Sequence, residues 1–157
     1  MIIEDFMIRD VISVKKETTI KELLEKLVQH KITGVPVVDE EGKLLGMATD
    51  GDVIRDIQPK GRTVYDIFSL ILVSEQADLK DRLRYSLDRQ VKEIMQKNVV
   101  TVKPKSPIDD AMAVFSKHHI KKIPVVNPAN RVVGVISRGD LIRYITTKLI
   151  DQTVDKL

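Results

Sequence analysis

The sequence predicts an α/β (α+β) fold, with two β-α-β-β-α repeats related by a pseudo-twofold axis and a helical insert between them. Three observations point there. Residues 5–57 align with 93–145 at a constant offset of 88 without a gap, and 16 of those 53 positions are identical. Each copy alternates short β-branched runs with helical apolar stripes. Residues 58–90 match neither copy. One copy alone has about 50 residues, marginal for a hydrophobic core. The copies are therefore expected to pack on each other.

The elements follow in order. "VISV" (11–14) and "VVTV" (99–102) read as short strands. Thr19 with Glu22 fits a capping box, and Ser106 followed by Pro107 fits an N-cap with proline at the first helical position. Ile20, Leu23, Leu24 and Leu27 form a helical stripe, as do Ile108, Ala111, Met112 and Phe115. "ITGVPVVDEEGKLLGMAT" and "IKKIPVVNPANRVVGVIS" each read as a strand, a polar turn and a second strand. "TDGD" (49–52) and "SRGD" (137–140) then open a second helix, with Val53, Ile54 and Ile57 on its expected buried side. In the insert, the apolar residues 64, 67, 68, 71 and 72 have a helical period. Leu79, Leu83, Leu87, Val91 and Ile94 form another stripe, so two helices are expected there, the second running into the second repeat. The expected division is 1–60 for the first motif, 61–90 for the helical insert, and 91–157 for the second motif with a C-terminal helix.

Composition narrows the functional classes. The 157 residues are 43% hydrophobic and 31% charged, as in ordinary globular proteins. No apolar run approaches the ~20 residues of a membrane span. The acidic start "MIIEDFMIRD" does not resemble an export signal, so a cytoplasmic location is expected. There is no cysteine, hence no disulfide or thiolate chemistry. A net charge of +3 is too small to argue for nucleic acid, and 4% aromatic residues leave few stacking platforms. The histidines, His30, His118 and His119, have no carboxylates at metal-ligand spacing, and no P-loop glycines are present. No catalytic residue, metal ligand or catalytic cofactor is expected, and the chain is not expected to be an enzyme. The five methionines read as core filling.

The hydroxyl-x-Gly-Asp motif admits two readings. Thr49 with Asp52, and Ser137 with Asp140, fit capping boxes with aspartate in place of glutamate. Yet Gly51 and Gly139 fall in the first helical turn, where glycine costs ~1 kcal/mol against alanine. With Gly46 and Gly134 they suggest that a small ligand approaches the backbone there. A carboxylate at that place can accept two hydrogen bonds side by side, as a ribose diol requires.

The ordered set "ITGVPVVDEEGKLLGMATDGDVI" and "IKKIPVVNPANRVVGVISRGDLI", present twice at one spacing, resembles the CBS domain, and the pair resembles a Bateman module. The resemblance covers both repeats and excludes the insert. It implies a stand-alone regulatory module that senses AMP, ADP, ATP or S-adenosylmethionine in two clefts between the motifs. It assigns the ribose diol to Asp52 and Asp140, with Thr49 and Ser137 beside them. Backbone at Val35 and Pro36, and at Ile123 and Pro124, would frame adenine, and Ser13 and Thr101 would line the pockets. Lys121 and Lys122 would hold phosphate, reaching across to the cleft of Asp52, with Arg138 a further candidate. Thr33 and Gly34 stand in their place in the first repeat, so the clefts should differ. The resemblance also implies a homodimer and a separate client protein. The alternatives are a ligand-free dimerisation adaptor and, less favoured, a nucleic-acid-binding module acting through residues 117–122.

Overall fold

The computed structural model describes residues 1–58 and 70–154, with side chains over 1–58 and 79–152. The elements are α1 (Ile20–His30), β1 (Gly34–Val38), β2 (Leu44–Thr49), α2 (Asp50–Ile57), α3 (Leu70–Leu87), α4 (Ile108–Lys117), β3 (Lys122–Val126), β4 (Val132–Ser137) and α5 (Arg138–Val154). Short 3-10 turns stand at Ile3–Asp5 and Val91–Glu93, exactly one repeat offset apart.

β1 pairs with β2, and β3 with β4, both antiparallel. Both hairpins shift register at the same place, after Val37 opposite Gly46 and after Val125 opposite Gly134. Their turns share one device. Asp39 Oδ1 accepts from the N–H groups of Glu41 and Lys43, each at 2.9 Å, and Asn127 Oδ1 accepts from those of Ala129 and Arg131. The two turns then join each other, since Leu44 N–H donates to the Asn130 carbonyl and Val132 N–H to that of Gly42, both at 3.0 Å.

The expected first strands are reduced to single parallel bridges, Val14 to Val37 and Val102 to Val125. The chain turns away one residue later, where Thr18 N–H bonds the Lys15 carbonyl and Ser106 N–H that of Lys103. Thr19 caps α1, with its hydroxyl accepting from Glu22 N–H at 3.1 Å, but the return bond of a capping box from Thr19 N–H to the Glu22 carboxylate is not among its hydrogen bonds. In the second repeat the expectation needs correction. Pro107 itself is the N-cap, and Ser106 supplies no side-chain cap to α4.

Two cores form, and each borrows from the other half of the chain. The first joins Val14, Ile20, Leu23, Leu27, Val35, Val37, Ala48 and Val53 to Val91. The second joins Val102, Ala111, Ile123, Val125 and Ile136 to Ile3 and Met7. Ile3 and Val91 are repeat mates, both fully buried. The segment leading into each repeat thus completes the core of the other. Backbone pairs fix the exchange: Met47 with Gln96 at 2.9 and 2.8 Å, and Ile8 with Val135 at 2.9 and 3.0 Å.

Three periodicity readings fail on packing. Met112 is exposed on α4, and Ile54 on α2 is 61% exposed with its repeat mate Ile142 at 62%. Helix α3 stops at Leu87 rather than running into the second repeat, and Leu79 is exposed. Among the described side chains of α3, Ser86 is buried, and its hydroxyl donates to Asp56 Oδ2 at 2.6 Å. Arg89 pairs with the same carboxylate, and Arg82 Nε donates to the Ile57 carbonyl at 2.8 Å. Burial of the Arg89 guanidinium is outweighed by Asp56, and its pKa is raised. The expected helix over 64–73 lies largely outside the described residues.

Candidate functional site

Both helix starts that close the repeats are built alike. Thr49 ends β2 and caps α2: its hydroxyl accepts from Asp52 N–H at 3.2 Å. Asp52 Oδ2 in turn accepts from Thr49 N–H and from the Thr49 hydroxyl, each at 3.0 Å. At α5, Asp140 N–H donates to Ser137 Oγ at 3.1 Å, and Asp140 Oδ2 accepts from Ser137 N–H at 3.2 Å and its hydroxyl at 2.6 Å. The capping function is therefore fulfilled twice.

The two strand glycines have their reason within the chain. A Cβ on Gly46 would stand 2.5 Å from the Gln96 carbonyl oxygen, and one on Gly134 would stand 2.6 Å from Met7 Sδ. Those two admit the crossing segments of the opposite repeat rather than a ligand. A Cβ on Gly51 or Gly139 would meet the guanidinium of Arg55 or Arg143, at 3.3 and 3.4 Å. Each arginine folds back over the first turn to its own aspartate, Arg55 to Asp52 and Arg143 to Asp140.

A cleft of about 660 Å³ opens at the start of α2. That volume lies within the range of small-ligand sites. Thr49, Asp52 and Arg55 come from the first repeat, and Lys121 and Lys122 from the second. The two lysines thus line the cleft of Asp52. Lys122 Nζ donates to the Gly34 carbonyl at 3.1 Å. Burial holds its ammonium below the ordinary lysine value, opposed by the nearby negative charge of Asp140.

The other expected site residues lie elsewhere. Val35, Pro36, Ile123 and Pro124 are fully buried in the hairpins and do not line this cleft. Neither do Ser13 and Thr101, which are half-buried beside the bridges at Val14 and Val102. Ser137, Arg138 and Asp140 belong to the other helix start, where Arg138 is exposed and its N–H bonds the Lys121 carbonyl at 3.2 Å.

Sequence reading passed over several lining residues. His118 and His119 flank the lysines, and Asn98 and Gln96 arrive with the crossing segment. Gln96 matters most, because its Nε2 donates to Asp52 Oδ1 at 2.8 Å. The available signal was the repeat itself, which puts Ile8 in the equivalent place. Among the described residues, no group of three metal-ligating side chains comes together, and no helix is long and apolar enough to cross a membrane.

Comparison with known proteins agrees with this architecture. The family model for the CBS domain matches residues 3–59 and again 91–147. An uncharacterized protein of Methanocaldococcus jannaschii, MJ1426, is 27% identical over 151 residues, covering 90% of this chain and 89% of that protein. The chloroplastic CBS domain-containing protein CBSX1 of Arabidopsis thaliana is 31% identical over 134 residues, 83% of this chain and 57% of that one. The inosine-5'-monophosphate dehydrogenase of Aquifex aeolicus is 33% identical over 141 residues, 89% of this chain but only 24% of the enzyme. Among solved structures, the CBS domain pair of MJ0100, in complex with 5'-methylthioadenosine and S-adenosyl-L-methionine, superposes with a TM-score of 0.69 at 26% identity, covering 94% of this chain and 98% of the pair. CBSX2 of Arabidopsis thaliana shares the fold, with a TM-score of 0.74 at 23% identity over 93% of this chain and 94% of that one. Two family matches, one on each repeat, together with the shared fold lead to one conclusion: the chain belongs to the CBS domain family and carries two CBS motifs.

Proposed function

We propose that this chain is a regulatory module that binds an adenosine-containing ligand in the clefts between its two motifs, without catalysis of its own. One observation carries the reading. A ligand-sized cleft joins the capped helix start of the first motif to two lysines of the second. A ligand seated there would touch both halves, and binding would bear on how they pack. The similarity to the MJ0100 pair, bound to two adenosyl compounds, supports the ligand class. The module is read as residues 1–60 and 91–157, with 61–90 as an insert, in a cytoplasmic setting. The exposed Ile54 and Ile142 suit a homodimer interface, and a separate client protein would receive the signal.

The adaptor reading also has an observation behind it. Both aspartates are already engaged in caps, so the fold does not need a ligand to satisfy them. A thermal-shift screen separates the two. A ligand bound only by the folded state raises the melting temperature by mass action, about 2.7 kcal/mol at a hundredfold excess over Kd. AMP, ADP, ATP or S-adenosylmethionine should raise it, and guanosine and cytidine nucleotides should not. A flat response to every adenosine compound at millimolar concentration would leave the adaptor reading.

A further inference from the structure

The two helix starts carry the same aspartate with different neighbours. The Asp52 carboxylate accepts four hydrogen bonds. Thr49 supplies two to Oδ2, while Arg55 Nη2 at 2.6 Å and Gln96 Nε2 at 2.8 Å share Oδ1. A carboxylate has about four lone-pair sites, so none is left. The side chain is 1% exposed. The Asp140 carboxylate accepts from Ser137 and Arg143, and it is 17% exposed. It has no counterpart of Gln96, because the crossing segment there presents Ile8.

The remaining polar groups of the Asp52 cleft differ in kind. Asp50 Oδ1 accepts from Gly51 N–H at 2.7 Å. Lys121, His118 and His119 are exposed at its wall, and Lys122 stands behind them. A diol entering here must displace Gln96 or the charge-assisted bond of Arg55. An anion at the Lys121 wall displaces none of these bonds and meets positive charge there, with the Asp50 carboxylate elsewhere in the lining.

We propose that the Asp52 cleft is a sugar-blind polyanion site for a ligand with two or more phosphates, and that Gln96 denies its carboxylate to a ribose diol. Asp140, where the same count leaves one site open and only the largely exposed Arg143 to displace, keeps the diol-reading role. That last assignment rests on the adenosine reading above, which at the Asp52 cleft narrows to a nucleotide held by its phosphates; the anion site stands without it.

Calorimetry on the intact chain tests this with tripolyphosphate, ATP, 2'-deoxy-ATP and adenosine. In Asp140→Asn, which silences the other carboxylate, the three phosphate compounds should bind within about threefold of one another and adenosine should not bind. Adding Lys121→Ala should weaken all three by about tenfold, as for a lost charge-assisted contact. Adding Gln96→Ile, or Gln96→Ala if the isoleucine variant melts early, should make ATP bind about tenfold more tightly than 2'-deoxy-ATP. The proposal fails if ATP already outbinds 2'-deoxy-ATP tenfold with Gln96 present. It fails equally if no phosphate compound binds Asp140→Asn, or if loss of Gln96 brings no preference for the diol. Wild-type protein that takes up tripolyphosphate but no adenosine or S-adenosylmethionine would refute the adenosine reading and leave the anion site standing.

Discussion

Alanine at Gly46 and alanine at Gly51 should have opposite effects on stability, although the two glycines lie five positions apart in one motif. At Gly46 the new Cβ would fall 2.5 Å from the Gln96 carbonyl oxygen and 3.1 Å from Met95 Sδ. That carbonyl cannot retreat freely, because Gln96 and Met47 exchange backbone hydrogen bonds at 2.9 and 2.8 Å. Overpacking of a tight site costs about 1–3 kcal/mol. Loosening the backbone pair adds about 1 kcal/mol. Gly46→Ala should therefore lose about 2–4 kcal/mol. At Gly51 the Cβ meets only the end of the Arg55 side chain, which is 64% exposed and free to shift. Better helix propensity contributes up to about 1 kcal/mol in the other direction. Gly51→Ala should be neutral or slightly stabilising. Gly134→Ala should fall between, since Met7 Sδ at 2.6 Å can swing aside but the Ile8 carbonyl at 3.2 Å cannot. Urea and thermal melts followed by circular dichroism read the difference. For a chain of this size about 2–4 °C of Tm accompany each kcal/mol, so Gly46→Ala should melt about 4–16 °C lower. A loss under about 1 kcal/mol at Gly46, or a larger loss at Gly51, would refute the crossing-segment explanation of the strand glycine.

Further outcomes are expected from the same structure. Asp56→Ala should lose about 2–3 kcal/mol in a urea melt, because it strands the buried Ser86 hydroxyl and leaves the Arg89 guanidinium only its longer pairing with Glu93; an unchanged midpoint would mean that α3 is not anchored there. Hydrogen bonds from the backbone of Lys43 and Glu41, opposed by some desolvation, hold the Asp39 carboxyl below its ordinary 3.8. Its stabilisation is thus present above that value and lost as pH falls through the lower folded value. Asp39→Asn should keep the turn, as Asn127 does in the other repeat, and acid unfolding should show a shallower pH dependence below about pH 4. A steeper dependence would contradict the sign. Ile54→Glu with Ile142→Glu should turn a homodimer into a monomer by light scattering, and a wild-type monomer at micromolar concentration would remove the dimer from the proposal.

The local chemistry of this protein was legible from its sequence. A capping hydroxyl and its partner lie three residues apart, so Thr49 with Asp52 and Ser137 with Asp140 announce their bonds without any tertiary information. The 88-residue offset likewise revealed two like units, and the apolar period placed Ile20, Leu23 and Leu27 in a core. Period alone says that a face is apolar, not what covers it. Ile54 and Ile142 obey the pattern and still face outward, because no other element among the described residues buries them.

The rest depended on residues distant along the chain. Ile3 fills the second core and Val91 the first, an exchange that no local window contains. Gly46 looks like a ligand contact until the Gln96 carbonyl is seen lying against it. Asp52 and Asp140 have one motif between them, yet a donor 44 positions away from Asp52 closes that carboxylate, and the other carboxylate meets no such group. Sequence determined which groups each repeat offers, since caps, turns and periods act over a few residues. Only the tertiary structure decided which of those groups stay open to a ligand, because that depends on which donor the crossing segment brings alongside.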